Sequence, residues 1–125
     1  GQMYTRAEWI LRGASDISRV GLSDVGGITP TMKTVHLCES FGVRVEMHGG
    51  GAGTLQVMGA MAIPGEYYER GLLHPHLDYE ARTPWLKEIV DPVDTEGYVP
   101  ISQKPGLGHE IDWDFIARNT IQSWQ

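Results

Sequence analysis

The sequence has 125 residues, of which 41% are hydrophobic and 21% charged, values that are typical of a single soluble globular domain. Its net charge of −6 argues against a nucleic-acid partner, because binding to phosphates needs clustered Lys and Arg. A single cysteine, and the lack of an apolar run near the roughly 18 residues of a membrane span, favour a cytoplasmic protein that binds no membrane.

The first residues predict a short helix and a short strand. Helical spacing runs from Thr5 to Arg12, and within it Glu8 and Arg12 are placed to form an ion pair. Asp16 to Val20 is the first strand candidate. The glycines of Leu22–Gly27 predict a loop after this strand.

Two further helix and strand units follow this loop. A helix is predicted to begin at Thr29, whose hydroxyl can cap it, and to end at Gly42, with Cys38 in the core. Val43–Met47 is the second strand, since β-branched residues flank its arginine. An apolar helix over Thr54–Ile63 and a brief strand over Glu66–Glu69 complete this part of the chain.

The pattern changes after Arg70. Residues 71–111 are rich in Pro, Gly, His and Asp, and they include one short strand candidate, Tyr98–Ser102. A last helix is predicted over Asp112–Thr120, with Asp112 as its N-cap, and Trp85 and Trp113 are interpreted as packing residues. We therefore divide the chain into residues 1–70 and a loop-rich extension, residues 71–125.

The alternation of strands and helices predicts an α/β fold with a parallel sheet covered by helices. About three strand-helix units cannot close a barrel, and an isolated parallel sheet would expose apolar edges. The chain also opens almost directly on a helical pattern. We therefore expect the chain to be one part of a longer protein with a larger fold.

Chemistry is expected at the carboxyl ends of the strands, where parallel α/β folds place their ligand sites. His48 ends the second strand and Glu69 ends the third, so the two side chains would face each other in an acid/base arrangement. The glycine run after His48 permits backbone N–H groups to approach an anionic ligand. The alternative from spacing alone is that His48 is a structural hydrogen-bonding residue.

Two stretches of the chain resemble the mandelate racemase and muconate lactonizing branch of the enolase superfamily. The first comprises Asp16–Val20, Gly26–Thr29, Lys33, Phe41–Val45 and His48–Gly49, and the second comprises Gly97–Ile101 and Lys104–Asp112. The opening residues, Gly1–Arg6, are similar to the segment that opens the sixth helix in galactonate- and gluconate-type dehydratases. The resemblance implies the C-terminal portion of a (β/α)₈ barrel, followed by a segment that returns to a capping domain.

The resemblance also implies a reaction. Enzymes of this branch abstract the proton α to a carboxylate and stabilise the enediolate on Mg²⁺, and the dehydratases then expel the β-hydroxyl. The expected substrate is a sugar acid, an aldonate or aldarate. The expected partners are the rest of the barrel, the capping domain and further copies of the same protein.

Residue roles follow from the positions that match the family motif. His48 matches the histidine that acts as base or acid, and Glu69 matches the glutamate that hydrogen-bonds the substrate carboxylate or the enediolate. Glu66 is the alternative to Glu69. Gly49, Glu66 and His74 are the predicted substrate-binding residues.

Two family positions are occupied differently here. The aspartate that usually orients the histidine corresponds to Gly21, and Asp24 is the candidate to replace it as the partner of His48. The last metal ligand would fall at or just before Gln2, so the Mg²⁺ ligands are expected upstream and no metal ligand is assigned within the chain. The alternatives to a dehydratase are a racemase, epimerase or cycloisomerase of the same superfamily, and a non-catalytic fragment.

Overall fold

The computed structural model describes residues 3–63, 65, 67–70, 75, 76, 78 and 80–122. The chain forms two compact units, Gly1–Gly71 and Leu72–Gln125. The first unit contains α1 (Arg6–Leu11), β1 (Ile17–Gly21), α2 (Leu22–Val25), α3 (Ile28–Ser40), β2 (Arg44–His48) and α4 (Ala52–Ala60). The second unit contains α5 (Trp113–Asn119).

The two strands of the first unit are parallel neighbours. Ile17 pairs with Arg44 at the start of the register, and Gly21 pairs with His48 at its end. The predicted parallel α/β arrangement is confirmed. Because the strands are in register, their carboxyl ends lie side by side at one edge of the sheet.

Side chains alternate between the two faces of this sheet. Val20, Val45 and Met47 are buried on one face, where they pack with a cluster that includes Val35 and Cys38 of α3. The core position predicted for Cys38 is confirmed. The opposite face carries polar residues of both strands: Arg19, Glu46 and His48. The sheet thus presents its polar face away from the core, as the period of two along each strand requires.

The segment between β1 and α3 differs from its prediction. Leu22–Val25 forms one helical turn instead of a loop, because the N–H groups of Gly26 and Gly27 both donate to the Leu22 carbonyl oxygen, at 3.1 and 2.7 Å. The next helix begins at Ile28 with Gly27 as its N-cap. The predicted N-cap, Thr29, therefore lies inside α3, and its hydroxyl does not cap the helix.

Two predicted strands are not formed by the described residues. Residues 65 and 67–70 are not assigned to a strand. The side chains of Tyr68 and Glu69 accept hydrogen bonds from backbone N–H groups of the loop after β2. Tyr98–Ser102 is also not a strand. Its first residue closes a turn with Asp94, since the Tyr98 N–H donates to Asp94 Oδ1 at 2.8 Å and the Asp94 N–H donates to the Tyr98 carbonyl at 2.9 Å.

The second unit is built around its last helix. The Asp112 carboxylate accepts a hydrogen bond from the Phe115 N–H at 2.8 Å, which confirms Asp112 as the N-cap of α5. Leu86 and Ile111 form an isolated antiparallel bridge. Trp85 and Trp113 are 51% and 68% exposed, so the prediction that they are packing residues is wrong for the described structure. Among the described residues, no helix has the length and apolarity needed to cross a membrane.

Candidate active site

Three polar side chains meet at the carboxyl ends of β1 and β2. His48 is the last residue of β2, and its Nδ1 lies 2.9 Å from Oε2 of Glu69. Nη2 of Arg19 lies 2.7 Å from each carboxylate oxygen of Glu69 and 2.9 Å from Nδ1 of His48. We refer to these three residues as the Arg19–Glu69–His48 cluster.

The turn after β2 completes the surroundings of Glu69. The Gly49 N–H donates to Oε2 of Glu69 at 2.8 Å. Gly49 has a φ of +77°, in the left-handed region that an L side chain rarely adopts, so this turn favours glycine. The anion predicted for the Gly49 N–H is therefore supplied by the chain itself, from Glu69.

These contacts lower the pKa of Glu69. The Gly49 N–H, then the hydrogen bond with His48 and that with Arg19, lower the pKa of Glu69 from 4.5 to about 2. Each of these contacts favours the ionised form of the carboxyl group. Glu69 therefore stays ionised to a lower pH than an ordinary glutamate, and it offers His48 a charged acceptor.

The Nε2 atom of His48 is the ring nitrogen that remains for external chemistry. The side chain of His48 is 53% exposed, and within the described part of the chain its hydrogen bonds involve only Nδ1. An imidazole held at one nitrogen and open at the other can accept or donate a proton at neutral pH. The cluster therefore has the geometry of an oriented acid/base group.

Asp24 lies beside Gly21, which pairs with His48 across the sheet. A Cβ atom placed on Gly21 would lie 2.6 Å from Oδ2 of Asp24 and 3.1 Å from the His48 carbonyl oxygen. The Asp24 carboxylate thus occupies the space of a side chain at position 21. No hydrogen bond joins Asp24 to His48 among the described residues, so the predicted partnership is not observed, and Glu69 is the carboxylate that binds Nδ1.

A cavity of about 310 Å³ opens beside the cluster within the first unit. Its lining residues are Arg19, Glu46, Met47, Tyr67, Tyr68 and Glu69. Polar groups of the cluster thus border a space that can admit a small molecule.

Sequence reasoning brought together His48 and Glu69 but missed Arg19. A signal was available, because Arg19 stands two residues before Gly21 and hence on the same face of the sheet as His48. The proposed substrate residues Glu66 and His74 lie outside the described residues. Their roles stay predictions.

The described residues do not fit a magnesium site. No group of three or more His, Cys, Asp or Glu that could hold a metal ion occurs among them. Both carboxylate oxygens of Glu69 accept hydrogen bonds from Arg19, and Oε2 is also bonded to Gly49 and His48. Mg²⁺ needs several oxygen ligands in octahedral geometry. The cluster offers one carboxylate, whose charge is already balanced by Arg19.

A comparison with protein families identifies the class of this domain. The family model described as enolase C-terminal domain-like matches residues 2–115. The chain therefore belongs to the enolase C-terminal domain-like family. This finding confirms the resemblance to the enolase superfamily that the strand-end and closing motifs carry.

Curated relatives of this chain include dehydratase family members. A D-galactonate dehydratase family member from Enterocloster bolteae is 30% identical over 128 residues, which cover 90% of this chain and 28% of the relative. Another from Enterococcus gallinarum is 31% identical over 135 residues, covering 94% of this chain and 30% of the relative. The chain thus spans less than a third of the length of these two relatives.

Solved structures support the same fold. The crystal structure of D-glucarate dehydratase from Agrobacterium tumefaciens complexed with magnesium matches with a TM-score of 0.88 and 48% identity, covering 98% of this chain and 32% of that one. An enolase from Pseudomonas fluorescens Pf0-1 with bound magnesium, potassium and tartrate matches with a TM-score of 0.67 over 94% of this chain and 28% of that one. At 20% identity, the second match shows the fold alone.

Proposed function

We propose that this chain supplies a proton-transferring histidine, His48, to the active site of an acid-sugar dehydratase. The observation that carries the proposal is the hydrogen bond between Nδ1 of His48 and the Glu69 carboxylate at the strand ends. Its relatives include D-galactonate dehydratase family members and a D-glucarate dehydratase, and these names support the substrate class. Because the chain spans less than a third of each, the activity is assigned to a longer polypeptide that contains it.

The proposed reaction removes water from a sugar acid. His48 takes the proton from the carbon α to the carboxylate at Nε2, while the Glu69 carboxylate stabilises the resulting imidazolium through Nδ1–H. The electron pair of the broken C–H bond forms a C=C bond as the β-hydroxyl leaves. The departing oxygen takes up the proton that His48 holds at Nε2 and is released as water, and the enol product tautomerises to a 2-keto acid.

The proposal gives Glu69 a different role from the one its family position implies. Its carboxylate oxygens bind Arg19, Gly49 and His48, so the carboxylate orients the histidine. Direct contact with the substrate is therefore assigned to Nε2 of His48 and not to Glu69.

Magnesium belongs to the proposal only at the level of the longer polypeptide. Two structural relatives were crystallised with magnesium, and a bound divalent ion stabilises negative charge that develops on a carboxylate oxygen. The described residues form no site for it, so its ligands would come from other segments. The remaining strands of a (β/α)₈ barrel, a capping domain and further copies of the protein are proposed partners, and a cytoplasmic location stays a prediction.

A product screen tests the proposed substrate class. A polypeptide of the relatives' length that carries this sequence is incubated with a panel of aldonic and aldaric acids, with Mg²⁺ present. We expect a 2-keto acid from at least one member, detected as its semicarbazone. If no member is dehydrated but one exchanges its α-proton in deuterated water, the chain belongs to a racemase or epimerase. If neither reaction occurs, the enzyme proposal is wrong.

A further inference from the structure

We propose that Arg19 is a positioning residue which, through Glu69, fixes His48 in the Nδ1–H tautomer and so makes Nε2 the base. This inference rests on the proposed function of His48 as a proton-transferring residue. It concerns a residue to which the sequence analysis assigned no role. Three independent features of the cluster carry it.

The first feature is placement on the sheet. Arg19 pairs with Glu46 across the sheet, and Gly21, two residues later, pairs with His48. The three side chains Arg19, Glu46 and His48 therefore lie on one face. The Arg19 guanidinium extends along this face to the strand ends, where Nη2 reaches Glu69 and His48.

The second feature is a count of hydrogen atoms. Nη2 of Arg19 carries two N–H groups, and it has three neighbours within 2.9 Å: the two oxygens of Glu69 at 2.7 Å and Nδ1 of His48 at 2.9 Å. The carboxylate is charged and nearer, so Nη2 donates to it in preference to Nδ1 of His48. The ionised carboxylate carries no hydrogen, so the 2.9 Å contact between Nδ1 and Oε2 is a hydrogen bond only when Nδ1 carries the proton.

The third feature is the acceptor that this proton finds. Oε2 of Glu69 lies 2.9 Å from Nδ1, and the Glu69 carboxylate is held in place by Arg19 and by the Gly49 N–H at 2.8 Å. A histidine that donates from Nδ1 to a carboxylate presents the lone pair of Nε2 to the outside. Free neutral histidine in water prefers the Nε2–H form, so the cluster must reverse that preference.

Position 21 is a glycine, so no strand-end aspartate orients His48. Arg19 instead positions Glu69, which orients the histidine. Asp24 and the His48 carbonyl fill the space where a strand-end aspartate would project. The carboxylate that orients His48 therefore comes from Glu69, which belongs to the irregular segment after α4 and not to a strand. Arg19, fixed within β1, ties this segment to the sheet at the position that the histidine requires.

The tautomer of His48 can be measured independently of catalysis. Long-range ¹⁵N–¹H spectra of histidine-labelled protein, recorded on the longer polypeptide used for the product screen, distinguish protonated from unprotonated ring nitrogens. We expect neutral His48 to be protonated at Nδ1 in the wild type and to shift towards the Nε2–H form in Arg19→Met. Arg19→Lys, which keeps the charge without the guanidinium, should shift less.

Arg12 provides the matched control. Its guanidinium also pairs with a glutamate, Glu8, at 2.7 Å, but this pair is exposed and lies away from the cluster's three residues in sequence, with Arg12 at the end of α1. Arg12→Met should leave the His48 signals unchanged. Arg19 is not part of the hydrophobic core cluster of the first unit, so its replacement is not expected to prevent folding. A wild-type His48 in the Nε2–H form, or an unchanged Nδ1–H population in Arg19→Met, would overturn the inference.

Kinetics of the same variants separate this inference from the proposed function. In an active dehydratase, Arg19→Met should lower kcat by on the order of 10- to 100-fold with little change in KM, as is usual for residues that orient a reacting group. Added methylguanidinium should restore part of the kcat of Arg19→Ala. An unchanged kcat in Arg19→Met refutes the positioning role. If no acid sugar is turned over, the proposed function fails and the spectra alone decide the role of Arg19.

Discussion

Three groups converge on the Glu69 carboxylate and lower its pKa: the backbone N–H of Gly49, the ring of His48 and the guanidinium of Arg19. None of these contacts is deeply buried, since the side chain of Glu69 is 35% exposed. Solvent therefore screens the ion pair, and its contribution to stability is small. The value of the arrangement lies in orientation, because each donor fixes the direction of one carboxylate lone pair.

The titration of Glu69 gives a residue-scale prediction. Its pKa in the folded chain is lowered from 4.5 to about 2, so the cluster stabilises the fold above about pH 4.5 and loses this contribution as the pH falls towards 2. Carboxyl ¹³C shifts recorded against pH should show a midpoint well below 4.5 for Glu69. Arg19→Met should raise this midpoint, and Arg12→Met should not. A wild-type midpoint near 4.5 would contradict the observed hydrogen bonds.

At the scale of the element, the ends of strands and helices determine what the chain can do. The end of β2 positions His48, the turn that follows presents the Gly49 N–H, and the end of β1 leaves room for Asp24. In the second unit, the N-cap residue of α5 accepts a hydrogen bond from a backbone N–H at the start of the helix. Its seven residues are too few for a stable isolated helix, so satisfied end groups matter for it.

Replacement of Asp112 tests the contribution of this cap. Asp112→Ala removes the acceptor of the Phe115 N–H and should lower the free energy of unfolding of the second unit by about 1 kcal/mol. Asp112→Asn is the matched control, because asparagine caps helices about as well as aspartate. The measurement is urea unfolding followed by circular dichroism. Equal midpoints for the alanine variant and the wild type would show that α5 does not depend on the cap.

The comparison of sequence and structure is clearest for the elements. Both strands, β1 and β2, lie within one residue of their predicted bounds, because runs of β-branched residues are a local signal. α2 was missed because a single turn is too short to show helical periodicity. Tyr98–Ser102 has strand-forming residues, but contacts with Asp94 fix its first residue in a turn. Tertiary contacts of this kind are absent from any local pattern.

The candidate site, like the helices and strands, could be predicted only in part. The meeting of His48 and Glu69 followed from the rule that ligand sites lie at strand ends, although Glu69 reaches this position from an irregular segment and not from a strand. Arg19 stands in the middle of β1, and only the length and direction of its side chain bring it to the strand end. Sequence periodicity gives the face of a residue but not the reach of its side chain.

At the scale of the whole molecule, we infer that the sheet forms part of a larger structure. Its two parallel strands are packed against helices on one face, and the polar residues Arg19, Glu46 and His48 lie on the other. Parallel sheets in α/β proteins are usually covered on both sides. We infer that the remaining strands of a longer polypeptide enclose this polar face, which would place the cluster inside the site that they complete.

The central claim is that His48 moves the α-proton of the substrate, and proton exchange tests it most directly. The longer polypeptide is incubated in deuterated water with an acid sugar that it dehydrates, and the α-proton signal is followed by ¹H NMR. The wild type should lose this signal as the 2-keto acid forms. His48→Asn should stop both processes, whereas His36→Asn, which alters an exposed histidine of α3, should not. Continued loss of the α-proton in His48→Asn would contradict the assignment.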